Sequence, residues 1–301
     1  MRSAVRTSRR GLYGIIFVIV VVLLPFLAIS ANGAWPFGRQ NTVSRTVPAV
    51  SLPSLLAMAA EYCDKLDRSV LNFVCRERIE EWVRHDIRRM GLAFVGPRER
   101  HRYLYDYQLL RDREGLFEES RTLLNEDGKE VTIPGSPLKT RSFKHANVVM
   151  GPLGLLRREI QADLDYRIVR EEKVRDEEAL VIEAVPKPGA HLEQLFGTVW
   201  LRKTDAGIIK IEWNPASIGH YQIVEETARR LDMTPDLLII SEYAFEKNGV
   251  RFPSRYTVKE AYRRGRSGRR IQLSEVDVVY DEYKFFTVET AVGIKGRGNR
   301  P

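Results

Sequence analysis

The chain has 301 residues, of which 44% are apolar and 29% charged, a globular composition that argues against disorder and against a polytopic membrane protein. Its net charge of +8 suggests a nucleic-acid partner until it is divided along the chain. Residues 1–34 hold Arg2, Arg6, Arg9 and Arg10 and no acid, which leaves 44 basic and 40 acidic residues, a surplus of +4, over residues 35–301.

Gly11 to Ile29 is a run of 19 uncharged, mostly apolar residues behind a basic flank. Small residues follow it (Ala28, Ser30, Ala31, Gly33, Ala34), the order of a secretory signal. The run is also long enough to span a bilayer, so residues 1–34 read either as a cleaved signal peptide or as a retained anchor. In either case the basic flank stays cytoplasmic and the rest is exported. This predicts a periplasmic protein, or one anchored in the inner membrane with its domain in the periplasm. Residues 35–50, with Pro36 and Pro48 and no periodicity, read as a linker.

Ser51 caps a predicted helix whose apolar face carries Leu55, Ala59, Cys63, Leu66 and Val70 at steps of three and four. Cys63 and Cys75 are the chain's two cysteines. Export makes a disulfide between them the expectation, worth about 3 kcal/mol for so short a loop; two buried thiols are the alternative.

Beyond Cys75 the pattern becomes extended. Residues 73–85 form a charged strand carrying Val74, Ile79, Trp82 and Val83. Tyr103, Tyr105, Tyr107 and Leu109 then share one strand face. Asp127-Gly128 predicts a two-residue hairpin with Glu126 opposite Lys129. Pro152–Leu164 and Tyr221–Leu231 carry helical patterns. Asp205-Ala206-Gly207 predicts a three-residue hairpin loop with Gly207 at the left-handed position, pairing Leu201 with Ile211 and Val199 with Trp213.

Asn248-Gly249 gives the clearest register. It sets Phe245 against Phe252, Tyr243 against Ser254, Ser241 against Tyr256 and Ile239 against Val258. The other face pairs Glu246 with Arg251 and Glu242 with Arg255 in water. A further hairpin joins residues 256–262 to 271–280 through Arg263, Arg264, Arg266, Arg269 and Arg270, a solvated tip or a contact for an anionic surface, and a last strand runs through Tyr280, Tyr283, Phe285, Phe286 and Val288. Residues 291–301 read as a frayed basic tail.

The count is ten or eleven antiparallel strands with three helices. It predicts an α+β fold, one curved sheet or half-barrel with helices on its concave face, over residues 51–290.

Two local patterns resemble the exported lipoprotein-carrier superfamily typified by LolA and LolB. One is Gly197-Thr198-Val199-Trp200-Leu201 followed by Asp205 and Ile208-Ile209-Lys210-Ile211. The other is Lys247-Asn248-Gly249-Val250-Arg251-Phe252-Pro253. The resemblance covers about residues 51–290 and implies an apolar cavity for acyl chains under a helical lid, binding lipid or a lipidated protein without catalysis. Tyr103, Tyr105, Tyr107, Val199, Trp213, Tyr243, Phe245, Phe252 and Tyr256 are the candidates for its wall, with ordinary core packing as the alternative. The extra length, the possible anchor and the cysteine pair depart from a freely shuttling carrier. They leave open a membrane-anchored sensor with an envelope-protein partner, or an assembly protein without ligand.

No catalytic, cofactor or metal pattern is visible. The five histidines are scattered, and HExxH, GxSxG, GxGxxG and Walker spacings are missing from the sequence. Acid pairs such as Glu80-Glu81 read as solvated. Export argues against nucleic acid, and a hydrolase would need a triad dispersed along the chain.

Overall fold

The computed structural model describes residues 50–69, 73–84, 97–111, 117–190, 195–217, 221–265 and 269–286. The signal or anchor segment, the linker up to residue 49 and the basic tail lie outside the described residues. Among the described residues no helix is long and apolar enough to cross a membrane.

Eleven strands form one open antiparallel sheet. They are β1 (Phe73–Val83), β2 (Glu99–Arg111), β3 (Phe117–Glu126), β4 (Lys129–Pro134), β5 (Leu164–Val174), β6 (Glu177–Pro186), β7 (Gly197–Arg202), β8 (Ile208–Trp213), β9 (Thr234–Lys247), β10 (Val250–Arg264) and β11 (Arg269–Phe285). Their order is β4-β3-β2-β1-β11-β10-β9-β8-β7-β6-β5, so the last strand docks against the first and the two edges are β4 and β5. The expected half-barrel, with helices on one face, is what forms. The two segments expected after residue 270 are one strand, β11, bulged where Glu282 takes a φ of 53°.

The Asn248-Gly249 turn forms with Phe252 opposite Phe245, Arg251 opposite Glu246 and Tyr256 opposite Ser241. Tyr243 pairs with Pro253 and not with Ser254. Proline has no N–H to give the ladder, and the strand bulges there. The Asp205 hairpin differs more. Ala206, not Gly207, takes the positive φ of 56°. Asp205 accepts from the Gly207 N–H and binds Arg202, which lengthens the loop. Val199 therefore pairs with Ile211, and Leu201 with Ile208. The slip of two at Val199 preserves its face, because side chains alternate with period two.

Three pieces cover the inner face. Helix α1 (Leu52–Ser69) buries Leu55, Ala59, Tyr62, Cys63 and Leu66, and its N-cap Ser51 Oγ accepts from Ser54 N at 3.3 Å. Residues 135–163 cross the sheet as an irregular cover. It holds two single turns, α2 (Leu153–Leu156) and α3 (Arg158–Gln161), in place of the one helix expected. The break is at Arg157, whose ψ is 144°. A continuous helix on the Leu156–Ile160 stripe would turn Leu155 about 100° away from it, whereas both leucines are fully buried. Helix α4 (Tyr221–Leu231) packs Val224, Ala228 and Leu231 toward the core.

The two cysteines correct an expectation: both are free thiols and both are buried. Cys63 is turned toward the cover, its Sγ 3.6 Å from the Pro152 carbonyl. Cys75 lies on β1 beside Tyr283. Burial raises both thiols, Cys63 to about 12, so neither is a ready nucleophile for exchange.

Candidate functional site

The inner face of β1 runs Phe73, Cys75, Glu77, Ile79, Glu81 and Val83. Two carboxylates therefore stand at positions of apolar parity, and both are fully buried. The solvated reading of Glu81 is thus corrected. Its oxygens accept from the backbone N–H of Arg141 (2.9 Å) and Ser142 (2.8 Å) and from the Ser142 hydroxyl (2.7 Å), which pins the start of the cover. The water-facing reading of Arg251 is corrected too. It is buried and paired with Glu177 at 2.5 Å and Glu246 at 3.2 Å.

Glu77 anchors the next stretch. It accepts from Arg121 at 2.7 and 3.2 Å and from His145 Nε2 at 2.8 Å. Burial alone would raise this carboxyl. The His145 ring and the Arg121 guanidinium outweigh it and hold Glu77 down at about 2. Ionised Glu77 can only accept, so His145 Nε2 is the donor of this bond. Two residues on, Asn147 takes a φ of 55° and donates its N–H to Glu119 at 2.7 Å. Glu119 also accepts from the Tyr107 hydroxyl at 2.8 Å.

The tyrosine face is what clasps the cover. Tyr105 accepts from Lys139 N at 3.1 Å, while the Tyr103 hydroxyl donates to Lys139 O. Tyr243 donates to the Val148 carbonyl at 3.0 Å. These rings are buried beneath the cover, as is Val199 against its neighbours. Phe252 packs edge-on to Phe73. Phe245 is 38% exposed at the sheet rim, stacked 4.8 Å from Tyr283.

Between cover and sheet, among the described residues, lies a cavity of about 270 Å³. Its floor is Trp213 from β8, Ser241 from β9 and Tyr256 from β10, and its roof includes His145, Val148 and Met150. Trp213 Nε1 donates to Ser241 Oγ at 2.9 Å, which fixes the indole as an apolar floor. The backbone passes close over that ring at Gly151, where a Cβ would lie 2.9 Å from Trp213 Cζ2. Of the nine wall candidates, Trp213 and Tyr256 line this cavity.

His145, Glu77, Arg121 and Glu119 escaped the sequence reading. Their signal was parity: Glu77 alternates in step with Phe73, Cys75 and Ile79, and a charge in that row needs buried partners. Of the arginine tip, Arg263 and Arg270 pair with Asp236 at 3.0 and 2.7 Å. The side chains of Arg266 and Arg269 are outside the described residues. Arg264 is exposed. Among the described residues, no group of three or more His, Cys, Asp or Glu is placed to hold a metal ion.

No family model matches the chain, and no curated protein matches it in sequence. Solved structures similar to it include a LolA superfamily protein from Nitrosomonas europaea. That match has 16% identity and a TM-score of 0.34, and it covers 80% of this chain and 96% of that one. Another is a putative outer membrane lipoprotein-sorting protein domain from Vibrio parahaemolyticus, with 12% identity, a TM-score of 0.34, and coverage of 77% and 92%. A third is the MucA/MucB complex of Pseudomonas aeruginosa, with 10% identity, a TM-score of 0.22, and coverage of 76% and 99%.

Proposed function

We propose that this is an exported envelope protein that binds one acyl chain, free or carried by a larger molecule, in the cavity beneath the cover. The observation that carries the reading is the cavity itself, about 270 Å³ between Trp213, Tyr256, Val148 and Met150. Its size is just below the usual range of ligand pockets, which suits a single chain and not several. Affinity would come from burial, about 0.8 kcal/mol per methylene. Binding without bond-making is the role these groups support. The Ser241 hydroxyl is hydrogen-bonded to Trp213, while His145 is hydrogen-bonded to Glu77. The signal-like N-terminus supports export, and the sequence resemblance to lipoprotein carriers points the same way.

Native mass spectrometry of residues 35–301 purified from membranes is expected to show a co-purifying lipid. Delipidated protein should take up a fluorescent fatty acid and quench Trp213. Ala146 is exposed and borders the cavity, so Ala146→Trp fills it without disturbing the core. That variant should lose uptake at least tenfold with its thermal midpoint unchanged. Lipid-free spectra together with no uptake by the parent protein would sink the reading.

A further inference from the structure

The polar groups lining the cavity are of one kind. Met150, Gly151, Gly154, Leu195 and Trp213 make an apolar part, where Trp213 spends its N–H on Ser241. Lys144, Asn147 and Tyr256 bring hydrogen-bond donors, and no Asp or Glu is among the lining residues. Lys144 and Asn147 are exposed, so these donors of the cover stand on the solvent side. Lys144 has no carboxylate partner among the described residues. The Tyr256 ring is buried, 5.2 Å from that of His145, the chain neighbour of Lys144. Its hydroxyl has no hydrogen-bond partner among the described residues, and burial raises it, so it stays a neutral donor. The nearest buried carboxylates are engaged elsewhere. Glu77 is held by Arg121 and His145, and Glu119 by Arg121, the Tyr107 hydroxyl and the Asn147 N–H.

We infer that the cavity is selective for an acyl or alkyl chain that ends in an anion, a carboxylate or a phosphate, met by the Lys144 ammonium with the Asn147 amide and the Tyr256 hydroxyl beside it. An ammonium and neutral donors with no lining carboxylate attract an anionic end through charge-assisted hydrogen bonds and repel a cationic one. A methyl ester offers the same chain and an acceptor without the charge. That selectivity rests on the cavity taking an apolar chain, and it adds the charge of the end-group that chain bears.

The test is displacement of a neutral fluorescent alkyl probe from the delipidated protein by four ligands of equal chain length: dodecanoate, dodecyl phosphate, methyl dodecanoate and dodecylamine. The two anions separate a carboxylate from a phosphate as the source of the charge. At least one of them should displace the probe at a concentration about tenfold below the ester, the worth of one charge-assisted contact, and the amine should be the weakest. The anion-to-ester ratio should shrink as salt is raised, because Lys144 is exposed. Lys144→Gln should bring the anions level with the ester and leave the ester unchanged, while Lys144→Arg keeps the preference. Both variants change an exposed side chain, and an unchanged thermal midpoint confirms that they fold. Equal displacement by all four, or a preference that Lys144→Gln does not reduce, overturns the selectivity and leaves the cavity reading standing. A probe that does not bind overturns the cavity reading, and the selectivity with it.

Discussion

Single side chains set where this fold is strong. Glu77 is ionised in a buried cluster, held near 2 from an ordinary 4.5. A lowered carboxylate contributes stability above its unfolded value and loses it as pH falls through the folded one. The thermal midpoint should therefore drop as pH is lowered from about 4.5 toward 2, and Glu77→Gln should flatten that part of the profile. The same variant should cost roughly 1–3 kcal/mol at neutral pH, because Arg121 loses the nearer of its two buried counter-charges and keeps Glu119 at 3.3 Å; urea titration measures it. The cysteines give the opposite case. Burial raises both thiols, so they favour the fold while protonated, and their contribution is lost as pH climbs past 9. With no bridge between them, adding reductant should leave the thermal midpoint unchanged. A thiol reagent should react fast only after unfolding, and rapid labelling of the native protein would contradict the burial.

Between residue and fold stands the cover, residues 135–163. It has little regular structure, and side chains of the sheet hold it by its backbone: Glu81 under Arg141 and Ser142, Glu119 under Asn147, Tyr105 at Lys139, Tyr243 at Val148. The tyrosine stripe on β2 was legible as one inward face, because alternation is a local property. Its role as a clasp was not, since Lys139 lies 34 residues from Tyr105 and nothing in either segment names the other. Tyr105→Phe removes two bonds to the cover, from Lys139 N and to Pro137 O, and should cost about 1–2 kcal/mol, with faster amide exchange confined to the residues around Lys139. Gly151→Val should do more. Its first side-chain carbon meets the rigid Trp213 ring at 2.9 Å, so the cover must lift, and the indole emission of Trp213 should shift to the red. The Asp205 hairpin shows a second limit. Gly207 looked like the left-handed residue, but the Asp205 and Arg202 side chains placed Ala206 there and moved the pairing.

At the scale of the whole molecule, the sheet is two meanders joined where β1 meets β11. β1 pairs with β11 along nearly its whole length, from Phe73 opposite Phe285 to Val83 opposite Ser274. A chain ending before residue 269 would leave β1 and β10 as long open edges in the middle of the sheet. It should fail to give dispersed amide resonances, whereas a chain ending after Phe286 should fold. The sequence by itself determined most of the strands, the Asp127-Gly128 and Asn248-Gly249 turns, most of the inner faces, the helices α1 and α4 and the division of charge, because these follow from periodicity and turn chemistry over neighbouring residues. Only the tertiary structure decided that β1 and β11 are partners, that Glu77 and Glu81 face inward with partners waiting, that the cysteines stay apart, and that cover and sheet leave a cavity with Lys144 and Asn147 on its solvent side. Each of those depends on atoms far apart in the chain meeting at a fixed distance, and a local pattern carries no information about that distance.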